Sequence, residues 1–310
     1  MSRILLIRFY EPLRSKFKAS TGRSLIKLDG CVVKMYNDTI ESQYEYDVLS
    51  EIAHFNPITF KVPRVFRLIR TRSRNALIME RIVGHNLDNY LWNFWLYNDL
   101  EAVRVFYRLG KAIRELHSLK LSSLRNSNLP SSCPELKHVI TELTKKLAAL
   151  KIVDNNLFSA ILDVLKKANT VNEIFLHVNL HGELYFTHIL VQDDRIVLLD
   201  FHNAQRGPSY FDLAMLSISL YVSLAFPFQA QKRFTLLIEA FLKGYYGKDL
   251  SAEIIKSIKL TELYSALREI SVYARTLHAE VSPITSLLTT LKIKRLKAAI
   301  KEIILPKLTL

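Results

Sequence analysis

The chain of 310 residues is 49% hydrophobic with only 8 glycines and 9 prolines, enough apolar surface for a full core and against a disordered, fibrous or repeat architecture. Forty-three basic residues against 29 acidic ones leave a net charge of +14, which points to anionic partners such as nucleotides, nucleic acid or an acidic membrane face without naming one. Two cysteines, Cys31 and Cys133, stand far apart with no metal-ligand spacing; this argues against a disulfide scaffold or zinc site and fits a reducing compartment.

The first residues, "MSRILLIRFYEPLR", hold an apolar run broken by Arg8 and no small-residue cleavage site, so a cytoplasmic location is expected, with peripheral attachment to a membrane left open. Residues 23–36, "RSLIKLDGCVVKMY", read as two strands joined by Asp29-Gly30, a dipeptide suited to the positive φ of a tight hairpin. Lys34 then lies inside the second strand. Asp38 is a natural N-cap for the helix "TIESQYEYDVLSEIAHF", with apolar residues at Ile40, Tyr44, Val48, Leu49 and Ile52 and with Glu41 and Glu45 on one face. Two more strands, "RVFRLIR" at 64–70 and "NALIMERI" at 75–82, precede Gly84 and complete a small β-rich N-terminal lobe over 1–84.

From about residue 87 onward helical periodicity dominates, over 99–119, 135–150, 156–168, 210–225, 229–246, 251–279 and 285–304, so that 85–310 reads as a larger, mainly helical lobe. The uncharged stretch "LAMLSISLYVSLAFPF" at 213–228 is shorter than the roughly 20 residues of a bilayer span, which predicts a buried core helix. In the C-terminal "LKIKRLKAAIKEIILPKL", Ile293, Leu296, Ile300, Ile303 and Ile304 recur at helical spacing among lysines and arginines. A docked helix over 292–307, offering a basic face to an anionic membrane surface or RNA, is expected.

One stretch interrupts the helices. "LHGELYFTHILVQDDRIVLLDF", residues 180–201, reads as a polar loop and two strands, "HILVQ" and "RIVLLDF", around the turn Asp193-Asp194. Glu183, His188 and Asp200 fall at the strand ends, where carboxylates and an imidazole converge as a divalent metal and a phosphate chain require. Asp200 ends a buried apolar strand and must be paired or metal-bound to offset its desolvation.

"HGELYFTHIL" resembles the catalytic loop of the protein-kinase-like phosphotransferases, a His-x-Asp-x-x-x-x-Asn pattern followed by two apolar residues, with His181, Glu183 and His188 in the three motif positions. "LLDF" is similar to the metal-binding Asp-Phe-Gly segment, with Asp200 17 residues past Glu183. "VVKMY" resembles the nucleotide-binding lysine strand, "YEYDVL" the helix bearing its glutamate partner and "LIMERIVGHNL" the hinge between lobes. "RLGKAIRELHSLKL" looks like the helix before the catalytic region of small-molecule kinases, and "GPSYFDLAML" like the helix after it with its buried aspartate. The tyrosine and histidine at 185 and 188, with "LLDFHNAQ", are closest to the lipopolysaccharide core sugar kinases; aminoglycoside and choline kinases come next.

The resemblance implies an α+β, bilobal protein-kinase-like fold with its catalytic loop over 177–203. It implies ATP and Mg2+, with Mn2+ as the alternative because His188 replaces the usual asparagine by a softer ligand. It further implies that Lys34 contacts the phosphates and is held by Glu45 or Glu41, and that Glu80 to Ile82 meet the adenine. Asp200 and His188 would bind metal, and Glu183 would orient or deprotonate a hydroxyl of a sugar, small-molecule or lipid-linked acceptor. His181, the other member of the catalytic pair, is expected to brace the loop by hydrogen bonding. A shifted register starting at His177 and Asn179 puts Leu184 at a metal position, where it cannot ligate. Glu183 carries one methylene more than the aspartate of the pattern, so on length alone Glu183→Asp is expected to be tolerated. No glycine-rich phosphate loop is visible; Gly22 stands alone. The insertion at about 120–172 resembles the acceptor-binding region of small-molecule kinases. Competing readings are a catalytically silent kinase-like scaffold, a serine/threonine protein kinase, and an RNA- or membrane-binding module.

Overall fold

The computed structural model describes residues 24–71, 74–168, 171–223, 228–279 and 282–309; the readings at Arg8, at Gly22 and at the end of the predicted 210–225 helix lie outside the described residues. Strands β1 (Ser24–Lys27) and β2 (Cys31–Tyr36) form the expected hairpin, turning at Gly30 with φ 72°. After β3 (Phe60–Lys61), strands β4 (Val65–Arg70) and β5 (Asn75–Glu80) complete an antiparallel sheet in the order β1-β2-β5-β4.

Helix α1 (Thr39–Phe55) packs on this sheet through Val48, Leu49 and Ile52. The Asp38 side chain accepts from the Ile40 amide at 2.7 Å, and Asn56 closes the helix in the left-handed region.

A second sheet, in the order β3-β9-β8-β6, holds β6 (His85–Asn86), β8 (Ile189–Gln192) and β9 (Arg195–Leu198), and a third pairs β7 (His177–Leu180) with β10 (Gln205–Pro208). The β8–β9 turn is the predicted Asp193-Asp194, both with positive φ. Because β3 pairs with β9 in parallel, the N-terminal segment reaches into the sheet that carries the 180–201 stretch. The sequence reading passed over β3, β6, β7 and β10, whose two to four residues are too short for periodicity to register.

The helical part comprises α2 (Leu87–Tyr97), α3 (Glu101–Ser118), α4 (Cys133–Ala149), α5 (Asn155–Lys167), α6 (Tyr210–Val222), α7 (Phe228–Tyr246), α8 (Ala252–His278) and α9 (Pro283–Ala299). Helix α2 is a correction, since the sequence reading left 87–97 unassigned. Its buried Leu87, Leu91 and Phe94 follow a helical period, but exposed Trp92, Leu96 and Tyr97 blur it. Helices α3 and α7 approach so closely that a Cβ on Gly110 would lie 2.0 Å from the Phe241 carbonyl oxygen and one on Gly244 2.0 Å from that of Tyr107. Helix α6 is buried along its whole length, as expected of a core helix, and no helix among the described residues is long and apolar enough to cross a membrane.

The predicted helix over 285–304 begins at Pro283 under a Ser282 cap, stops at Ala299 and passes through a π-turn (Ile300–Ile304) into α10 (Leu305–Thr309). Ile293, Leu296, Ile300, Ile303 and Ile304 are buried, so this tail is docked. Three of its basic residues are engaged within the chain: Lys301 pairs with Asp154 at 3.1 Å, Arg295 donates to the Ser223 carbonyl and Lys292 lies over the Tyr273 ring.

Candidate active site

Strand β2 places Lys34 and Tyr36 on one face, toward α1. There Lys34 Nζ donates to both oxygens of Glu45 at 3.0 and 2.8 Å and to Asp200 Oδ1 at 2.5 Å, and the Tyr36 hydroxyl also donates to Glu45. Of the two glutamates left open by the sequence, Glu45 is the one at Lys34. Its burial requires a partner of opposite charge, and Lys34 supplies it.

The same helix is tied to the loop after α3. Glu51 accepts from the amides and hydroxyls of Ser122 and Ser123, at 2.6 to 3.0 Å. Burial alone would raise the pKa of Glu51, but these bonds outweigh it and hold the carboxyl at about 2. Glu115 on α3 likewise accepts from the Ile58 and Thr59 amides. These contacts fix the helix that presents Glu45.

The 180–201 stretch is set from below by Asp212, which is fully buried on α6. Its carboxylate accepts from the His181 amide at 2.6 Å, from the Gly182 amide at 3.0 Å and from His117 Nε2 at 3.2 Å. Gly182 has φ +84°, and a Cβ there would lie 1.9 Å from the Asn203 carbonyl oxygen, so only glycine fits between the two segments. His181 is wholly buried, and its Nε2 donates to the Leu199 carbonyl at 2.9 Å. Burial lowers its pKa to about 4, which makes it neutral near pH 7 with Nδ1 as an acceptor. In the rejected register His177 is exposed, and Asn179 donates to the carbonyls of Leu116 and Leu119 at the end of α3.

Asp200 has φ 69°, in the left-handed region, and its Oδ1 meets Lys34 and also His202 Nδ1 at 2.5 Å. Burial pushes its pKa up, but His202 and Lys34 outweigh it and hold the carboxyl well below the usual carboxylate range. His188 Nδ1 lies 3.0 Å from the Glu183 carbonyl, which can only accept, so Nδ1 carries the proton. Its Nε2 lies 3.8 Å from Asp200 Oδ2. The Glu183 carboxylate accepts from the Asn203 side-chain amide at 2.6 Å, and His202 Nε2 lies 3.6 Å from its other oxygen.

A cleft of about 540 Å³ opens between the first sheet and the 180–201 stretch. Six predicted residues line it: Lys34, Glu45, Glu80, Ile82, His188 and Asp200. His181 lies beneath, in the core, and Glu183 is reached from Asp200 through His202. Oxygen and nitrogen atoms of Glu45, Asp200 and His202 also lie within 4.8 Å of one another, a donor set compatible with a cation. Sequence reasoning missed the parts played by Tyr36, His202, Asn203 and Glu51. The one available signal, for His202 and Asn203, was their place in the motif "LLDFHNAQ", directly after Asp200.

The sequence profile of the APH group, described as the phosphotransferase enzyme family, matches residues 25–248. The chain belongs to this family. No curated protein is similar to this phosphotransferase-family member at a significant level. Among solved structures, a choline/ethanolamine kinase family protein from Mesorhizobium loti is 12% identical, covering 94% of this chain and 90% of that one, with a TM-score of 0.60. The GDP complex of aminoglycoside 2'-phosphotransferase-IIIa, also 12% identical, covers 95% and 97% with a TM-score of 0.65. An amicoumacin kinase in complex with AMP-PNP, Ca2+ and Ami is 13% identical, covering 96% and 94% with a TM-score of 0.57. At these identities the likeness is one of fold, and it bears out the α+β, protein-kinase-like architecture expected from the sequence.

Proposed function

We propose that this protein transfers the γ-phosphoryl group of ATP to a hydroxyl of a sugar, another small molecule or a lipid-linked acceptor. The observation that carries this reading is the meeting, at one cleft, of the Lys34–Glu45 pair with Asp200, joined through His202 to the partly exposed Glu183. Such a site supplies what phosphoryl transfer needs: a cation for the phosphates, carboxylates for a metal, and a carboxylate for the attacking hydroxyl. In this reading 1–84 is the nucleotide-binding lobe and 85–310 the helical lobe.

Lys34 neutralises charge on the α- and β-phosphates, and the adenine lies against the backbone of Glu80 to Ile82, which lines the cleft. The acceptor oxygen forms its bond to the γ-phosphorus as the bond to the bridging β,γ-oxygen breaks. Glu183 orients the hydroxyl and takes its proton. His181, neutral and buried, braces the loop beneath.

The residues fit a divalent cation. Asp200 Oδ2 and His188 Nε2, two atoms able to ligate, lie 3.8 Å apart, while Glu45 is committed to Lys34 and Tyr36. Asp200 and His188 would therefore hold Mg2+ or Mn2+, which would neutralise the phosphate oxygens. The neighbours bound to GDP and to AMP-PNP with Ca2+ support a purine nucleotide and a divalent metal.

A cytoplasmic location with the tail against an anionic surface belongs to the same proposal; on that tail Lys294, Lys301 and Lys307 are the exposed bases. The test of the reaction is incubation with γ-labelled ATP, Mg2+ or Mn2+, and amino-sugar, sugar and choline-type acceptors. Label appearing in an acceptor or as phosphate supports transfer, and nucleotide binding without any label release supports the silent scaffold.

A further inference from the structure

We infer that Asn203, with His202, is a positioning residue that sets the reach of Glu183, and that Glu183 and Asn203 are matched in length. The inference rests on the proposed role of Glu183 in transfer. The Asn203 side-chain amide donates to Glu183 Oε1 at 2.6 Å, while the His202 ring stands 3.6 Å from Oε2 and donates to Asp200 at 2.5 Å. One imidazole thus spans both carboxylates of the site, and the neighbouring amide fixes the outer one. The seat is rigid, because the Asn203 backbone packs against Gly182 at a distance that admits no Cβ. The Glu183 side chain is 29% exposed, so without these contacts its extra torsion would let the carboxylate wander among rotamers.

The matching follows from bond lengths. Shortening Glu183 to aspartate withdraws the carboxylate by about 1.5 Å, which carries a 2.6 Å hydrogen bond beyond hydrogen-bond range. The geometry therefore reverses the expectation from length alone: Glu183→Asp should lose activity, although it restores the residue of the general pattern. It also names the compensating change. Asn203→Gln lengthens the donor by the methylene that aspartate lacks.

The test compares wild type, Asn203→Ala, Glu183→Asp, Glu183→Asp/Asn203→Ala and Glu183→Asp/Asn203→Gln, using ATP turnover with water as the acceptor. Asn203→Ala should lower kcat about tenfold, the worth of a hydrogen bond to a charged group, with the KM for ATP within about twofold. The same change made on top of Glu183→Asp should cost little more, and Asn203→Gln on that background should recover turnover. Additive losses with no recovery overturn the inference. A second readout needs no activity: the Asn203 side-chain amide resonances, shifted and protected in the wild type, should collapse to solvent-like values in Glu183→Asp. If the wild type transfers no label from ATP to water or to any acceptor but this collapse occurs, the pairing stands and the proposed reaction falls. Amide resonances unchanged by Glu183→Asp overturn the pairing whatever the activity.

Discussion

The two ends of the site are built differently. At the end proposed for the nucleotide the Glu45 side chain is 1% exposed and held by Lys34 and Tyr36, on a helix clamped at Glu51. At the end proposed for the acceptor the Glu183 side chain is 29% exposed, accepts from the Asn203 amide and lies 3.6 Å from the His202 ring. A buried ion pair tolerates no loss of a partner, whereas a half-exposed carboxylate can be altered without unfolding the protein. Stability and binding should therefore register changes at the first end, and turnover changes at the second.

The largest effect that would sharpen this contrast is Lys34→Met. It strands a buried glutamate and should destabilise the fold by about 3–5 kcal/mol in chemical denaturation, as well as abolish any nucleotide-dependent rise in Tm. Glu183→Gln, at the other end, should change stability by no more than about 0.5 kcal/mol. Equal destabilisation by the two would break the comparison. Gly182→Ala lies between the ends and forces a Cβ into the Asn203 carbonyl; its expected outcome is a poorly folded chain with lost thermal cooperativity.

A smaller effect is pH-dependent. The Glu51 carboxyl is depressed from its ordinary 4.5 to about 2, so its contribution to stability is fully present above pH 4.5 and is lost as pH falls toward 2. Glu51→Gln should flatten the fall of Tm across that window, measured by calorimetry at a series of acidic pH values. An unchanged acid limb would show that α1 is not clamped by this residue. The smallest expected effect concerns the tail. Neutralising Lys292, Lys294, Arg295, Lys297 and Lys301 should weaken any salt-sensitive binding to anionic vesicles only modestly, since several of these groups already have partners within the chain.

The contrast also explains what could be read from the sequence. Asp200 was legible because a carboxylate closing a buried apolar run must find a partner, whereas Lys34 and a glutamate on the following helix were reached only through the resemblance of "VVKMY" and "YEYDVL" to kinase segments. The hairpin at Gly30, the cap at Asp38 and the turn at Asp193-Asp194 were legible because each has its own local chemistry. The choice of Glu45 over Glu41 was not, because the two share a helix face and only the docking of α1 separates them. Nor were the roles of His202 and Asn203, since their contacts cross from one loop to another and depend on the close approach at Gly182. Helix α2 and the two-residue strands escaped for the opposite reason, having too little periodic signal of their own.

The most direct test of the central claim is to measure phosphoryl transfer and nucleotide binding side by side in the wild type and in Glu183→Gln, which keeps the shape of the side chain and deletes its charge. Transfer should fall roughly 10²–10⁴-fold, the scale of a positioned acid–base group, while the Tm rise with ATP and Mg2+ or Mn2+ stays at its wild-type size. Equal transfer by the two proteins, or a wild type that binds ATP and releases no labelled phosphate to any acceptor or to water, would contradict the claim.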